Sequence, residues 1–143
     1  MPSFKVFDIA GSALSAQSVR LNTVASNLAN ADSVSGDPST VYKARHPVFE
    51  AVRASLASRM GGTNQGSDAA VRVNGIVEST APPTARYEPG NPLANEQGYI
   101  YAPNVNVVEE MVDMISASRA YQNNVEVMNT SKDLMLATLK LGQ

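Results

Sequence analysis

The sequence predicts a mainly α-helical protein with a small β module, whose long N- and C-terminal helices pair in a coiled-coil-like arrangement. Apolar residues recur at helical spacing near both ends of the chain. Seven of the eight prolines fall between these ends, in residues 32–103, together with short β-branched runs. The expected divisions are a helix in 1–34, an irregular β and loop module in 35–103, and a second helix in 104–143.

The first helical pattern runs from about residue 4 to residue 31. Phe7, Leu14, Leu21 and Leu28 recur every seven residues, and Gln17 interrupts this stripe. The other positions are mostly small or uncharged polar residues. A helix of this length would extend about 40 Å. The stripe therefore predicts one apolar face that needs a partner.

The middle region alternates short β-like runs with chain-breaking residues. The runs are Val41 to Arg45, Val48 to Val52, Val71 to Val77, Ala85 to Glu88 and Tyr99 to Tyr101. Asn74-Gly75 lies between Val-Arg-Val and Ile-Val, a pattern that favours a two-residue hairpin turn. Ala57 to Ala69 is expected to form a flexible loop.

The strongest helical pattern runs from about residue 107 to residue 141. Ten positions alternate in steps of four and three, and eight of them are apolar. They are Val107, Met111, Met114, Ser118, Tyr121, Val125, Met128, Lys132, Met135 and Leu139. Asn106 can cap this helix, with Glu109 three residues later as in a capping box. Gly142 is the expected stop.

Composition excludes several classes of protein. The chain has 143 residues, a formal net charge of -2 and no cysteine. Its mixed charge lacks the basic stripe of a nucleic-acid-binding protein. The absence of cysteine removes disulfides and thiolate metal sites. Asp8 inside the N-terminal apolar stretch argues against a cleaved secretory signal, and no segment reaches the ~20 apolar residues of a membrane span.

No set of residues predicts catalysis. His46 is the only histidine and precedes Pro47 in a β-like stretch, so we expect a surface or turn role for it. Glu109 and Glu110 are adjacent on a helix and therefore do not face a common site. The glycine-rich segment 61–66 lacks the Lys-Ser/Thr of a P-loop. We expect no enzyme activity, cofactor, metal or small-molecule substrate.

The apolar faces of the two helices exceed what one small chain can bury. The β module is too short and too polar to cover about 90 Å of helix. Exposed leucine, valine and methionine drive association between molecules. The expected subunit contacts are Phe7, Leu14, Leu21, Asn22, Val24, Asn27, Leu28, Asn30, Met111, Met114, Ile115, Tyr121, Val125, Met128, Met135 and Leu139. For the asparagines, a solvated polar face is an equal alternative.

Several segments resemble a known family. Leu21 to Ala31 (LNTVASNLANA) resembles the N-terminal signature of the flagellar axial proteins of the rod and hook. Glu88 to Pro92 and Gly98 to Val112 resemble the rod subunits of that family more specifically. So do Val6 to Ala13, Met114 to Val125 and Thr138 to Gln143. The resemblance covers about residues 4–34 and 86–143, which is over half of the chain.

The resemblance implies a structural subunit of the bacterial flagellar basal-body rod. Subunits of this family polymerise through their terminal helices into a helical tube that transmits torque and surrounds the export channel. They leave the cytoplasm through the flagellar type III apparatus without a cleaved signal, and the rod crosses the periplasm. The implied partners are further copies, other proximal and distal rod subunits, and the adaptor between rod and export gate. Contact with the surrounding rings or peptidoglycan stays open.

Two other classes of function make different predictions. A helical binding module would accept a partner helix and form a complex of fixed stoichiometry. An enzyme would need a pocket with convergent polar groups in the β module. The sequence offers no set of residues for such a pocket.

Overall fold

The computed structural model describes residues 2–53 and 69–141. Helix α1 spans Pro2–Ala29 and helix α2 spans Val107–Leu141. Between them lie strands β1 (Arg45–Arg53), β2 (Ala69–Glu78), β3 (Thr84–Tyr87) and β4 (Tyr99–Ala102). The predicted combination of two long terminal helices with a small β part is confirmed, whereas the coiled-coil geometry of the pair stays a prediction. The predicted loop at 57–69 lies outside the described residues, apart from Ala69, which begins β2.

The two helices lie side by side and antiparallel. Asn27, near the end of α1, bonds to Glu110, near the start of α2. Val6, near the start of α1, lines a groove together with Leu134, near the end of α2. This arrangement brings the first residues of α1 and the last residues of α2 to the same end of the pair. We call this the far end, and the opposite end, which holds Asn27 and Glu110, the near end.

Strands β1 and β2 form an antiparallel pair against α1. The Ser12 hydroxyl accepts a hydrogen bond of 3.1 Å from the backbone N–H of Val71, which ties β2 to α1. Pro47 lies inside β1, where the missing N–H is tolerated because every strand of a two-stranded sheet is an edge.

The predicted hairpin turn at Asn74-Gly75 is wrong. Strand β2 continues through both residues, with Val48 opposite Gly75 and Phe49 opposite Val73. Asn74 is therefore the extra residue of a β-bulge. A local hairpin would have joined two very short strands, whereas pairing with β1 gives a ladder that reaches from Arg45 to Arg53.

Strands β3 and β4 form a second antiparallel pair, which is attached to the segment after α1. Ser35 and Tyr101 exchange backbone hydrogen bonds of 3.0 and 2.8 Å. The backbone approaches closely here, because a Cβ atom on Gly36 would lie 2.6 Å from the Leu93 carbonyl oxygen. Only glycine fits at this position without displacing the backbone of the neighbouring loop.

The core of the described residues is thin. Its buried apolar side chains are Ala10, Ala16, Val24, Val41, Ala44, Ile100, Ala102 and Ala117. Most of these are alanines, which let the two helices and the strands approach closely but bury little area. Many larger apolar side chains remain exposed on α2. None of the described helices is both long enough and apolar enough to cross a membrane.

Candidate functional site

A buried polar junction connects α1, β1 and α2 at the near end of the helix pair. Its centre is Asn27, whose side chain is 0% exposed. The Asn27 amide nitrogen donates to the Arg45 carbonyl at 2.9 Å and to Glu110 Oε1 at 2.8 Å. The Asn27 amide oxygen accepts from the Arg45 N–H and from the Tyr42 hydroxyl, both at 2.9 Å. Both donors and both lone pairs of the amide are therefore used.

Glu110 is the acidic member of this junction, and its side chain is only 5% exposed. Burial raises the pKa of Glu110, and the nearby carboxylates of Asp113 and Glu109 act in the same direction. The hydrogen bond from Asn27 and the charge of His46 oppose this rise in the pKa. A carboxyl group in this position carries a desolvation penalty whenever it is ionised.

The raised pKa of Glu110 predicts a pH-dependent contribution to stability. The folded state holds the proton more tightly than the unfolded state, so the contribution is fully present below the unfolded pKa, near the usual 4.5. It is lost as the pH rises through the folded pKa. Glu110→Gln removes this loss and keeps an oxygen that accepts from Asn27. We therefore expect the stability of the variant, relative to the parent chain, to increase between pH 4 and pH 8.

Urea unfolding of the parent chain and of Glu110→Gln across this pH range measures the difference directly. A difference that stays constant, or that falls with rising pH, would contradict the assignment of Glu110 as a destabilised buried carboxylate. Both chains are compared at one ionic strength, since salt screens the surrounding charges.

The start of α2 is fixed by local and long-range bonds. The Asn106 side-chain oxygen accepts from the backbone N–H groups of Val108 and Glu109 at 3.2 and 3.4 Å. Asp113, two turns into the helix, forms a 2.7 Å ion pair with Arg20 of α1. Both charged side chains are partly exposed, so the pair adds at most a modest stabilisation, roughly 1 kcal/mol or less.

Gln17 of α1 carries a buried polar atom without a partner among the described residues. Its Oε1 atom is buried, and in the part of the chain that the structure describes it has no hydrogen-bond partner. A buried acceptor without a partner destabilises the folded state. The residue that interrupts the predicted apolar stripe of α1 therefore introduces a local defect.

Replacing Gln17 with methionine is expected to raise the free energy of unfolding by about 1 kcal/mol, because the side chain keeps its length and loses the unpaired oxygen. Thermal or urea unfolding followed by circular dichroism measures this change. Gln122→Met, on the exposed surface of α2, is the matched control and is expected to change stability little. A destabilised Gln17→Met chain would show that the oxygen has a partner in solution.

The residues predicted to contact other subunits are buried, half-buried or exposed in the structure. Val24 and Asn27 are buried. Half-buried positions are Phe7, Leu14, Leu21, Leu28, Asn30, Met114, Val125, Met128 and Met135. Exposed positions are Asn22, Met111, Ile115, Tyr121 and Leu139. The first two groups supply much of the contact within the chain, and the third remains available on its surface.

A different heptad of α2 faces α1. Glu110, Ala117, Asn124 and Ser131 recur every seven residues and are buried or half-buried. Sequence reasoning missed this series because its members are small or polar rather than apolar. The seven-residue spacing of these residues is the one sequence signal that could have identified the face of α2 that packs against α1. Small residues such as Ala117 allow close helix contact, whereas the apolar side chains of Val108, Val112 and Ile115 are exposed.

The described residues show geometry for packing and hydrogen bonding. No group of three potential ligands among residues 2–53 and 69–141 could hold a metal ion. His46 is exposed on β1, opposite Val77. The features that stand out are the buried junction and the exposed apolar side chains of α2.

Two family models match the chain at its two ends. Residues 7–36 match the model described as "Flagella basal body rod protein". Residues 96–141 match "Flagellar basal body rod FlgEFG protein C-terminal". These segments contain most of α1, together with β4 and α2, and thus both helices of the junction. The matches place the chain in the class of flagellar basal-body rod proteins.

Relatives that match over the full length identify the family more closely. The chain is 54% identical to the flagellar basal-body rod protein FlgC of Escherichia coli O157:H7 and to that of Salmonella typhimurium, covering 100% of each chain. It is 34% identical to the Bacillus subtilis protein of the same name, again with both chains fully covered. The chain belongs to the family of flagellar basal-body rod proteins FlgC.

Proposed function

We propose that the chain is a structural subunit of the flagellar basal-body rod, without enzyme activity. The observation that carries this proposal is the 54% identity over all 143 residues with relatives named as rod proteins. The exposed apolar side chains of α2 support it, because a subunit that stays alone in water would expose this surface unfavourably.

In this proposal the terminal helices, within divisions 1–34 and 104–143, polymerise into a helical tube that surrounds the export channel. The module in 35–103 is carried by the helix pair. The neighbours are further copies of the chain, other proximal and distal rod subunits, and the adaptor to the export gate. The rod lies in the periplasm, and the chain leaves the cytoplasm without a cleaved signal.

The buried junction suits a part that transmits torque. A rotating rod loads each subunit sideways, and the load must pass between the helices and the β strands without slippage. Asn27 fixes α1 to β1 and α2 through directional hydrogen bonds at 2.8 to 2.9 Å. Such a satisfied polar network is rigid, because any relative displacement leaves buried groups unpaired.

Deletion and complementation in a motile bacterium that carries this gene tests the proposal. We expect the deletion strain to be non-motile and to lack complete rods in electron micrographs of purified basal bodies. The wild-type gene restores both. Normal rods in the deletion strain would refute the proposal, and a stable complex of fixed stoichiometry elsewhere in the cell would favour a binding module instead.

Amide hydrogen exchange tests the role of the helices separately. If α1 and α2 are assembly elements, their amide protection is expected to rise strongly from the dilute purified chain to the isolated rod. Equal protection in both samples would show that the helices are fully satisfied within one chain.

A further inference from the structure

Strand β2 contains a chemically reactive pair of residues, Asn74 and Gly75. Asn74 is the only asparagine of the chain that is followed by glycine, and no aspartate is followed by glycine. The backbone nitrogen that follows an asparagine can attack the carbon of its side-chain amide, and a residue without a Cβ atom obstructs this attack least. The sequence therefore singles out Asn74 as the asparagine that most readily forms a cyclic imide with its own backbone.

The fold leaves the amide of Asn74 without a partner that would hold it back. Its side chain is exposed, and within residues 2–53 and 69–141 it forms no hydrogen bond. The amides of Asn27, Asn95 and Asn104, by contrast, each take part in two or more hydrogen bonds. A bonded amide has to give up these bonds before its carbon can turn toward the backbone. The amide of Asn74 pays no such penalty.

The β-bulge removes the constraint that a regular strand would place on the backbone of this pair. Val48 lies opposite Gly75 and Phe49 lies opposite Val73, so Asn74 has no residue opposite it. In a regular strand the extended backbone directs the next nitrogen away from the side chain, and the ladder bonds maintain this geometry. A bulge interrupts the ladder and bends the strand. A Cβ atom on Gly75 would meet no atom within 4 Å, so the attacking residue also has open space around it.

We propose that Asn74 is a site of spontaneous backbone modification in the folded chain. The deprotonated backbone nitrogen of Gly75 forms a bond to Cγ of Asn74. The bond between Cγ and Nδ2 breaks, and the departing nitrogen takes up protons from water and leaves as ammonia. Water then opens the cyclic imide at either of its two carbonyl groups, which gives aspartate or isoaspartate. No atom is oxidised or reduced, and water is the only co-reactant.

The product changes β2 in charge and in length. The neutral amide becomes a carboxylate on a strand where Arg72 is already paired with Glu50 at 3.5 Å. Isoaspartate also carries the main chain through the former side chain and lengthens it by one methylene group. The bulge already holds one residue more on β2 than on β1, so the lengthened backbone lies within an existing irregularity of the ladder. This inference concerns the β1–β2 pair alone and is independent of the rod function proposed above.

Incubating the purified full-length chain in native buffer at pH 6 and at pH 8 tests the inference. Peptide mapping by mass spectrometry locates the replacement of the amide, and methyl transfer from S-adenosylmethionine by a purified isoaspartyl methyltransferase detects isoaspartate. We expect modification at Asn74, with isoaspartate among the products, and a faster reaction at pH 8, because the attacking nitrogen must lose its proton. Gly75→Ala is the matched control, since the open space accommodates its methyl group. It is expected to slow the reaction roughly tenfold, because the Cβ atom obstructs the attack.

A parallel sample in urea, above the unfolding transition, measures the reactivity of the same pair without the fold. A rate in native buffer within roughly tenfold of the rate in urea supports the inference. Modification confined to the urea sample would overturn it, because the folded β2 would then protect the pair. An unchanged rate in Gly75→Ala, or aspartate without isoaspartate, would overturn it as well, since neither result is compatible with attack by the Gly75 nitrogen.

Discussion

Replacing Asn27 with alanine is expected to lower the free energy of unfolding by on the order of 3–5 kcal/mol, because a buried carboxyl group then loses its hydrogen-bond donor. The substitution also leaves the Arg45 backbone groups and the Tyr42 hydroxyl without their partner. A domain of this size is typically stable by about 5–15 kcal/mol, so the loss is a large part of the total. Urea unfolding at neutral pH, followed by circular dichroism, measures it.

Asn22→Ala is the matched control, since Asn22 lies on the same helix with its side chain exposed. It is expected to change stability by less than about 0.5 kcal/mol. A second test exchanges the polar groups of the junction. Asn27→Asp alone places two carboxyl groups in contact, and adding Glu110→Gln restores a donor between the two side chains. If this double variant is no more stable than Asn27→Asp alone, the Asn27–Glu110 bond does not form in solution.

Replacing Ile100 with alanine is expected to destabilise the chain by about 2–5 kcal/mol, the range for truncating a buried isoleucine. Ile100 is 2% exposed and, with Asn27, is one of the largest fully buried side chains of the described residues. Because the core consists mainly of alanines, few neighbouring groups can move to fill the cavity. Thermal and urea unfolding provide the measurement.

Ile115→Ala is the control for this second prediction, because the same atoms are removed from a side chain that is 55% exposed. It is expected to leave the stability of the monomer within about 0.5 kcal/mol of the parent chain. Similar losses at both positions would mean that Ile115 is buried in the free chain. Unchanged stability at Ile100 would mean that β4 does not enter the core.

The two helices were predictable from the sequence because their signals are local. A seven-residue repeat over several turns specifies a helix with one preferred face. Asn106 marks the start of α2, because its side-chain oxygen accepts from the backbone N–H groups of Val108 and Glu109. The predicted ranges of about 4–31 and 107–141 differ little from Pro2–Ala29 and Val107–Leu141. Neighbouring residues determine this level of structure, and tertiary contacts change it little.

The strand pairing could not be predicted in the same way. Asn74-Gly75 has the local signature of a turn, but β2 pairs instead with β1, whose matching residues lie 16 to 33 positions earlier in the chain. Asn74 then serves as the extra residue of a bulge, and Gly75 pairs with Val48. Turn residues identify a place where the backbone can deviate and do not identify which strand lies opposite.

The junction illustrates the limit of pattern reasoning about function. Asn27 lies on a helix among other polar residues, and nothing nearby in the sequence distinguishes it from the exposed Asn22. Its burial depends on Tyr42 and Arg45, just before and at the start of β1, and on Glu110 of α2, which come from two other parts of the chain. Glu110 in turn resembles an ordinary acidic residue at a helix start. Only the antiparallel helix pair brings these groups together.

The hydrogen bonds of Asn27 also determine the order in which the chain can complete its fold. Its partners are 15, 18 and 83 positions away in the sequence. The near partners can form while the chain is incomplete, but closing the longest loop carries the largest entropic barrier and requires the start of α2. An incomplete chain that ends before residue 110 therefore lacks the hydrogen bond that joins α1 to α2 through Asn27. The last quarter of the polypeptide therefore completes the junction, because it supplies Glu110, the most distant partner of Asn27.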